Sequence, residues 1–405
     1  MHRFLFYSLN FGALVFTPLG VSQAQTQVAE SPKPPRSGVS SKFDFEPVRS
    51  LLREAVDAEE VAGGAVLLMQ GDEIVFETGF GFADRKSKRP FKTQTPGVVA
   101  SISKPLQGTV AFTLVEQGKL QIDVPIDRYL PAFADAKLTN GEGLKRAPML
   151  KELFTHTGGT RRDDDKSGRP WFADWTKGKK LEFVVDRYAA EFPFRTQPGT
   201  SWGYSGIGTD IASRVAEVAS GLPRNELLVQ ALCQPLGMGD TFYWDNQRTK
   251  NYKMPTRYYI GSKTGKLFVY KQRDYPEPNT YSSSGGSIVS TVHDLARWLR
   301  MVRDGGVLEG RRILQESTVE AMLRTKSNRS SNTQCGFFVR ERDASGKLVR
   351  IGHTGSSGTN CWIDFEANCL GVMLTQTRGK DIKPFRIELE ERLMSCLQEE
   401  SASSN

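Results

Sequence analysis

The chain has 405 residues, 38% hydrophobic and 10% aromatic, enough for a sizeable core and about two structural units. Its formal charge of +8 is spread along the sequence, with only short clusters such as Lys177–Lys180, and forms no stripe of the kind that marks a nucleic-acid binder. Five cysteines with no CxxC pair, and four scattered histidines, leave a zinc site little to work with; the odd count leaves at least one cysteine unpaired.

Residues 1–24 read as an export signal. Arg3 supplies the positive start, residues 4–16 are mostly apolar, and Ser22-Gln23-Ala24 offers the small residues a signal peptidase needs. Asn10 and Pro18 interrupt a run already too short to span a membrane, and no Cys follows the expected cleavage point to carry a lipid. No later stretch is long and apolar enough for a transmembrane helix, so a periplasmic or secreted protein without an integral span is expected. Residues 25–42, rich in Pro, Ser and Lys, read as a linker.

From residue 43 the pattern becomes periodic. Residues 43–61 space their apolar positions as an amphipathic helix, and 62–84 form two apolar runs around Gly71-Asp72, a hairpin signal. Residues 102–120 predict a mostly buried helix ending near Gly118. The segment 126–282 is rich in aromatics, Pro, Gly and charge, with helices expected over 209–221 and 224–237. A further helix is expected over 290–305, with Thr291 and Asp294 at its N-terminus. Strands over 358–365 and 369–377 flank Glu366-Ala367-Asn368, and a helix over 384–400 closes the chain. The fold class expected is α+β. An antiparallel sheet from 43–125 and 283–405 is flanked by N- and C-terminal helices, with 126–282 as an inserted, mostly helical part. A site belongs in the crevice between the two.

Three stretches carry candidate chemistry. Ser101 and Lys104 stand at i and i+3 at the start of a buried helix, which puts both on one face. A serine hydroxyl becomes a nucleophile when a neighbouring base takes its proton, and a partly desolvated lysine can do so. The helix start also offers a free backbone N–H for an oxyanion. Tyr204 sits in a Gly/Ser/Trp turn before a helix; alone it reads as a packing residue, but together with Ser101 and Lys104 it gains interest, since a phenolate held by cations is a competent base. His353-Thr354-Gly355 lies at the entry to an edge-like strand, where glycines let a substrate backbone approach.

Ser-x-x-Lys, then Tyr-Ser-x, then a Thr-Gly-bearing strand near the C-terminus together resemble the serine β-lactamase and penicillin-binding protein superfamily. The resemblance is closer to its class C-like branch, with the D-alanyl-D-alanine carboxypeptidases, D-aminopeptidases and family VIII carboxylesterases, and runs from about residue 43 to the C-terminus. Residues 153–160, 198–206, 282–299 and 352–365 add to it. By position it makes Ser101 the acyl-forming nucleophile, Lys104 its proton partner and Tyr204 the general base and leaving-group acid. The backbone N–H groups of Ser101 and Ser356 would form the oxyanion hole, and His353, Thr354 and Gly355 would bind substrate.

Two departures bear on substrate. Where many class C-like members have Tyr-Ser-Asn, this chain has Tyr204-Ser205-Gly206, and where β-lactamases have Lys-Thr-Gly it has His353-Thr354-Gly355. Histidine is mostly neutral at pH 7, so both changes favour esters and other neutral substrates over β-lactams. If His353 did supply charge, activity on anionic substrates would improve as it protonates on the acid side. A literal Lys263-Thr264-Gly265 reads as a hairpin turn, and Gly199–Gly203 matches Gly-x-Ser-x-Gly without the buried strand that motif needs. His156 and His293 read as structural. The expectation is an exported serine hydrolase, with no metal or organic cofactor, acting on a small ester, amide or peptide or on cell-wall material. The alternative is a non-catalytic protein of the same fold that recognises wall peptides or a protein partner.

Overall fold

The computed structural model describes residues 42–163, 173–244, 252–270, 280–326, 329, 332–379 and 382–403, with side chains to Gln398. The expected export signal and nearly all of the linker lie outside these residues. Helix α1 (Glu46–Asp57) buries Val48, Leu51, Leu52 and Ala55 on one face. It is followed by strands β1 (Gly63–Gln70) and β2 (Glu73–Asp84), an antiparallel hairpin turning at Gly71, and by the short β3 (Arg89–Pro90).

The chain returns to the same sheet near its C-terminus as β4 (Thr333–Gln334), β5 (Phe337–Arg342), β6 (Leu348–Thr354), β7 (Asn360–Asp364) and β8 (Cys369–Thr375). The eight strands lie in the order β4-β5-β6-β7-β8-β1-β2-β3, every pair antiparallel, and β1 against β8 closes the two ends of the chain together.

Both faces of the sheet are covered, and alternation along β1 shows it. Val66 and Leu68 join the layer with α1 and the C-terminal helix, while Ala65, Leu67 and Met69 join the larger core on the other side. That larger core also takes in Val184, Ile211 and Leu232, so the helical segment and the sheet share one core. Its centre is helix α2 (Ser103–Glu116), buried at every position from Ser103 to Leu114, the polar Lys104, Gln107, Thr109 and Thr113 included. Helix α3 (Gly206–Ser220) packs on α2, with Ser213 Oγ donating to Gln107 Oε1 at 3.0 Å. Helix α4 (Val292–Arg303) does the same, with Trp298 Nε1 donating to Thr109 Oγ1 at 3.0 Å. Helix α5 (Ile382–Ser403) runs beside α1 on the opposite face, its Phe385, Leu389 and Leu393 in the same apolar layer.

The expected elements recur with shifted ends. The helix expected over 224–237 is broken: Arg224–Leu228 is α-helical, Val229–Cys233 makes a π-turn, and Gln234–Leu236 resumes. The larger correction concerns His353. It does not enter an edge strand; it sits near the end of β6, an interior strand between β5 and β7. The ladder with β5 has its last pair at Phe338↔Gly352, whereas the ladder with β7 continues to Thr354↔Asn360. Only the last residues of β6 thus emerge from the sheet on the β5 side.

Candidate active site

The chain enters α2 through a single tight turn, Ala100–Ile102, that presents Ser101 half-buried while Lys104, one helical turn on, is only 3% exposed. Ala100 takes φ 51°, a left-handed conformation that costs a residue with a Cβ about 1–3 kcal/mol. Strain of that size directly before a partly exposed serine is held by the surrounding packing. Lys104 Nζ donates to Ser101 Oγ at 3.3 Å and to the Gly285 carbonyl at 2.9 Å. Burial alone would depress the Lys104 ammonium, but Tyr204 and the carboxylates of Asp163 and Asp210 outweigh it and hold the group above its ordinary value. Lys104 is therefore an ammonium at neutral pH. It can steady a negative neighbour, but it does not rest as the free base that desolvation alone would make.

Lys104 Nζ also lies over the ring of Tyr204, 4.6 Å from its centre. Tyr204 precedes α3, whose N-cap is Ser205: Ser205 Oγ accepts from Gly208 N–H at 3.2 Å and from Thr160 Oγ1 at 2.8 Å, and donates to the Arg161 carbonyl. His156 stands 4.5 Å from the Tyr204 ring, with its Nδ1 accepting from Ser205 N–H at 3.4 Å. Burial, with Lys104 nearby, pushes His156 down to about 3, so it is neutral. Phe338 and His353 close the other side of the tyrosine at 6.2 and 6.4 Å.

The end of β6 meets the nucleophile turn through backbone groups. Ser357 Oγ donates to the Val98 carbonyl at 2.8 Å and Thr359 Oγ1 to the Val99 carbonyl at 2.9 Å. Gly355 permits the approach, since a Cβ there would fall 2.1 Å from Thr359 Oγ1, 2.6 Å from the Val99 carbonyl oxygen and 2.9 Å from Ala100 Cβ. Ala100 and Gly355 are thus neighbours in space. The residues that follow them, Ser101 and the exposed Ser356, carry the two N–H groups expected to face an oxyanion.

A family model described as "Beta-lactamase" matches residues 48–390. The chain belongs to the beta-lactamase family. It is 25% identical over 276 residues to esterase EstB of Burkholderia gladioli, covering 62% of this chain and 68% of the relative. It is 25% identical over 243 residues to the D-alanyl-D-alanine-carboxypeptidase/endopeptidase AmpH of Escherichia coli K12, covering 59% and 56%. The fold matches the solved structure of EstCE1, a hydrolase with promiscuous acyltransferase activity, with a TM-score of 0.72 at 21% identity over 85% of this chain and 97% of that one. The protein is a serine hydrolase of this family.

In this enzyme His353 is a neutral histidine. Burial first, then the nearby Lys104 ammonium, drive it well below the ordinary imidazole value. Its Nδ1–H donates to the Thr354 carbonyl at 2.7 Å, which leaves Nε2 a buried acceptor with no hydrogen-bond partner among the described residues. This runs against an acid-side charge on His353: the ring sits where an imidazolium would be desolvated beside a cation.

Positive charge comes from elsewhere. A cavity of about 380 Å³ lies beside Thr354, Gly355 and Ser356, and α5 lines it with Lys383 and Arg386. A second, of about 560 Å³, shares Thr354, Lys383 and Arg386 and runs on to Arg340 and Glu390. Arg340 is paired with Glu390 at 2.5 Å, whereas Lys383 and Arg386 make no ion pair within 4.0 Å among the described residues.

Three contributors to the site, Asp163, Asp210 and Gly285, were not singled out in the sequence, and a fourth, His156, was read only as structural. Asp163 accepts from Gly206 N–H at 2.6 Å, so a carboxylate comes to the residue that lacks the usual amide side chain, and its charge bears on Lys104. Asp210 and Gly285 act on Lys104 from the α3 side, and His156, expected to be structural, packs on Tyr204. Of these, Asp210 could have been found: it is the one charged residue on the buried stretch Gly206–Ser213 of α3. The remaining motifs fall away from the chemistry. Lys263-Thr264-Gly265 forms the exposed turn between Tyr258–Ile260 and Leu267–Val269. Gly199–Gly203 lies in the loop before α3, where Ser201 Oγ bonds Thr196 Oγ1 at 3.0 Å. His293 Nε2 bonds Glu77 at 2.7 Å and ties α4 to β2.

Proposed function

We propose that this enzyme is exported and cleaves an ester or amide through an acyl-enzyme on Ser101, as an esterase or D-peptidase rather than an efficient β-lactamase. The observation that carries the reading is the meeting of three groups: Lys104 Nζ within 3.3 Å of Ser101 Oγ and 4.6 Å over the Tyr204 ring. Tyr204 takes the Ser101 proton as Oγ bonds to the substrate carbonyl carbon, and the Lys104 ammonium balances the charge. The oxyanion is received by the N–H groups of Ser101 and Ser356. Collapse expels the leaving group, which takes the proton back from Tyr204; water, activated by the same tyrosine, then releases the acid. Neutral His353 and the missing side chain at Gly206 support uncharged substrates, and the relative EstB is an esterase.

One observation supports a narrower reading. Lys383 and Arg386 beside Ser356 suit a substrate whose leaving portion ends in a carboxylate, as a D-amino-acid peptide does. Export rests on residues 1–24, and fractionation with N-terminal sequencing of the mature chain tests it. The chemistry is tested by mixing enzyme with a p-nitrophenyl ester and measuring intact mass. One acyl adduct, lost in Ser101→Ala, is expected. An equal adduct in Ser101→Ala, or stoichiometric capture of every ester, peptide and lactam without turnover, would sink the proposal. A panel of neutral esters and D-alanyl peptides separates the substrate readings: Lys383→Ala with Arg386→Ala should raise KM for the carboxylate-bearing members alone.

A further inference from the structure

We propose that Asp210 is a positioning residue of the reaction: it holds the Tyr281–Gly285 segment so that the Gly285 carbonyl receives the Lys104 ammonium. This rests on the Ser101–Lys104–Tyr204 reading above and extends it to a residue that touches neither substrate nor nucleophile.

The segment joins no strand ladder; two backbone bonds, Tyr281 N–H to the Lys179 carbonyl at 2.5 Å and Gly286 N–H to the Ser283 carbonyl at 3.1 Å, hold it only in part, and side chains do the rest. Asp210, fully buried on α3, accepts Tyr281 O–H at 2.7 Å with one oxygen and Ser284 N–H at 2.5 Å with the other. Arg224 adds bonds to the Ser282 carbonyl at 2.6 Å and to Ser284 Oγ at 3.0 Å. The next residue, Gly285, then turns its carbonyl to Lys104 Nζ at 2.9 Å, and the fit is close, for a Cβ on Gly285 would stand 3.1 Å from that nitrogen and 3.2 Å from Thr209. Without this carbonyl the ammonium keeps its bonds to Ser101 Oγ and Tyr204 but loses the fixed backbone anchor, and its aim at the serine and tyrosine loosens.

The arrangement also has a protonation requirement. Both Asp210 oxygens act as acceptors, so adding a proton forces one partner to reverse or leave. The charged and titratable groups facing it are Tyr281, Arg224 and Lys104, and Asp163 acts in turn on Tyr281 and Lys104. Burial is the largest influence and carries Asp210 up to about 6, against the opposing bonds from Tyr281 and Ser284. Turnover then falls as pH drops through about 6, because the segment loses the acceptor that orders it.

The experiment is the pH dependence of kcat and KM on a neutral p-nitrophenyl ester for the wild type, Asp210→Asn, Tyr281→Phe and Ser101→Ala. Asp210→Asn should lower kcat by roughly 100-fold with KM within about twofold, and lose the limb near pH 6. Tyr281→Phe removes a bond that favours the ionised form, so its limb should move to higher pH. An unchanged limb in Asp210→Asn, or an effect confined to KM, overturns the proposal. If Asp210→Asn fails to fold, an unmoved limb in Tyr281→Phe overturns it equally. Full turnover by Ser101→Ala would instead break the underlying reading, leaving the two failures distinct.

Discussion

The two walls of the site are held in different ways. The sheet wall, from His353 to Thr359, meets the nucleophile turn through neutral hydroxyls on backbone carbonyls and through the missing side chain of Gly355. The helical wall, built from Asp163, Tyr204, Asp210 and Gly285 around Lys104, is held by buried charge. A neutral contact of this kind depends on shape and is indifferent to pH, whereas a buried carboxylate and ammonium depend on each other's protonation. The sheet wall should thus answer to added volume, and the helical wall to added protons.

The largest effect is expected on the sheet wall. Gly355→Ala places a methyl 2.1 Å from Thr359 Oγ1 and pushes β6 off the turn that carries Ser101. Overpacking of this kind costs about 1–3 kcal/mol, and a displaced oxyanion donor costs about 100- to 1,000-fold in kcat. The measurement is kcat on a p-nitrophenyl ester beside a thermal melt, at two pH values. A loss that grew or shrank strongly with pH would break the distinction between the walls.

A smaller loss is expected where the helical wall is crowded. Gly285→Ala brings a methyl to 3.1 Å from Lys104 Nζ, and kcat should fall about 10-fold, while Gly286→Ala, with open space around its Cβ, should leave kcat within about twofold. Equal effects from the two neighbours would show that the ammonium does not depend on that carbonyl.

What the sequence disclosed follows the same division. Ser101 and Lys104 were legible because three residues along a helix fix a geometry locally, and the hairpin at Gly71 for the same reason. Tyr204 and Ser356 needed the joint order of several short motifs. Gly285 reaches Lys104 across 181 residues, and Lys383 and Arg386 reach Ser356 only because β8 carries the chain past β1 and into α5. No local pattern encodes such meetings. His353 was legible as a position but not as a charge, because an imidazole's protonation is set by burial and by Lys104, both products of the tertiary fold. The edge-strand expectation failed for a related reason: β5 ends in the charged run Arg340-Glu341-Arg342 of a surface segment, yet it pairs with β6 and encloses it.

His353 also gives a test of pH that belongs to the sheet wall. Because burial keeps its ring neutral well below the ordinary value, activity on an anionic ester relative to a neutral one should not rise between about pH 7 and pH 5. His353→Asn should change the rate but leave the shape of that ratio alone. A ratio that climbs on acidification in the wild type and stays flat in His353→Asn would put a titrating charge on the sheet wall and remove the contrast.

The smallest effect on activity is expected from a buried carboxylate outside both walls. Asp294 accepts Asp240 N–H and Thr241 O–H, each at 2.8 Å, and burial raises it to about 6 from an ordinary 3.8. A raised carboxyl means that the folded state binds the proton more tightly than the unfolded one. Its ionisation penalty is complete above about pH 6 and is relieved as pH falls toward 4. Relative to Asp294→Asn, the wild type should gain on the order of 1–3 kcal/mol over that window, read from denaturant unfolding at each pH. The kcat limb should stay where it is in the wild type, since among the described residues Asp294 bonds Asp240, Thr241 and Thr291 and not the segment that meets Lys104. A limb that moves with Asp294 would mean that acid sensitivity is a property of buried carboxylates throughout this core. One that stays ties it to the carboxylate behind the ammonium.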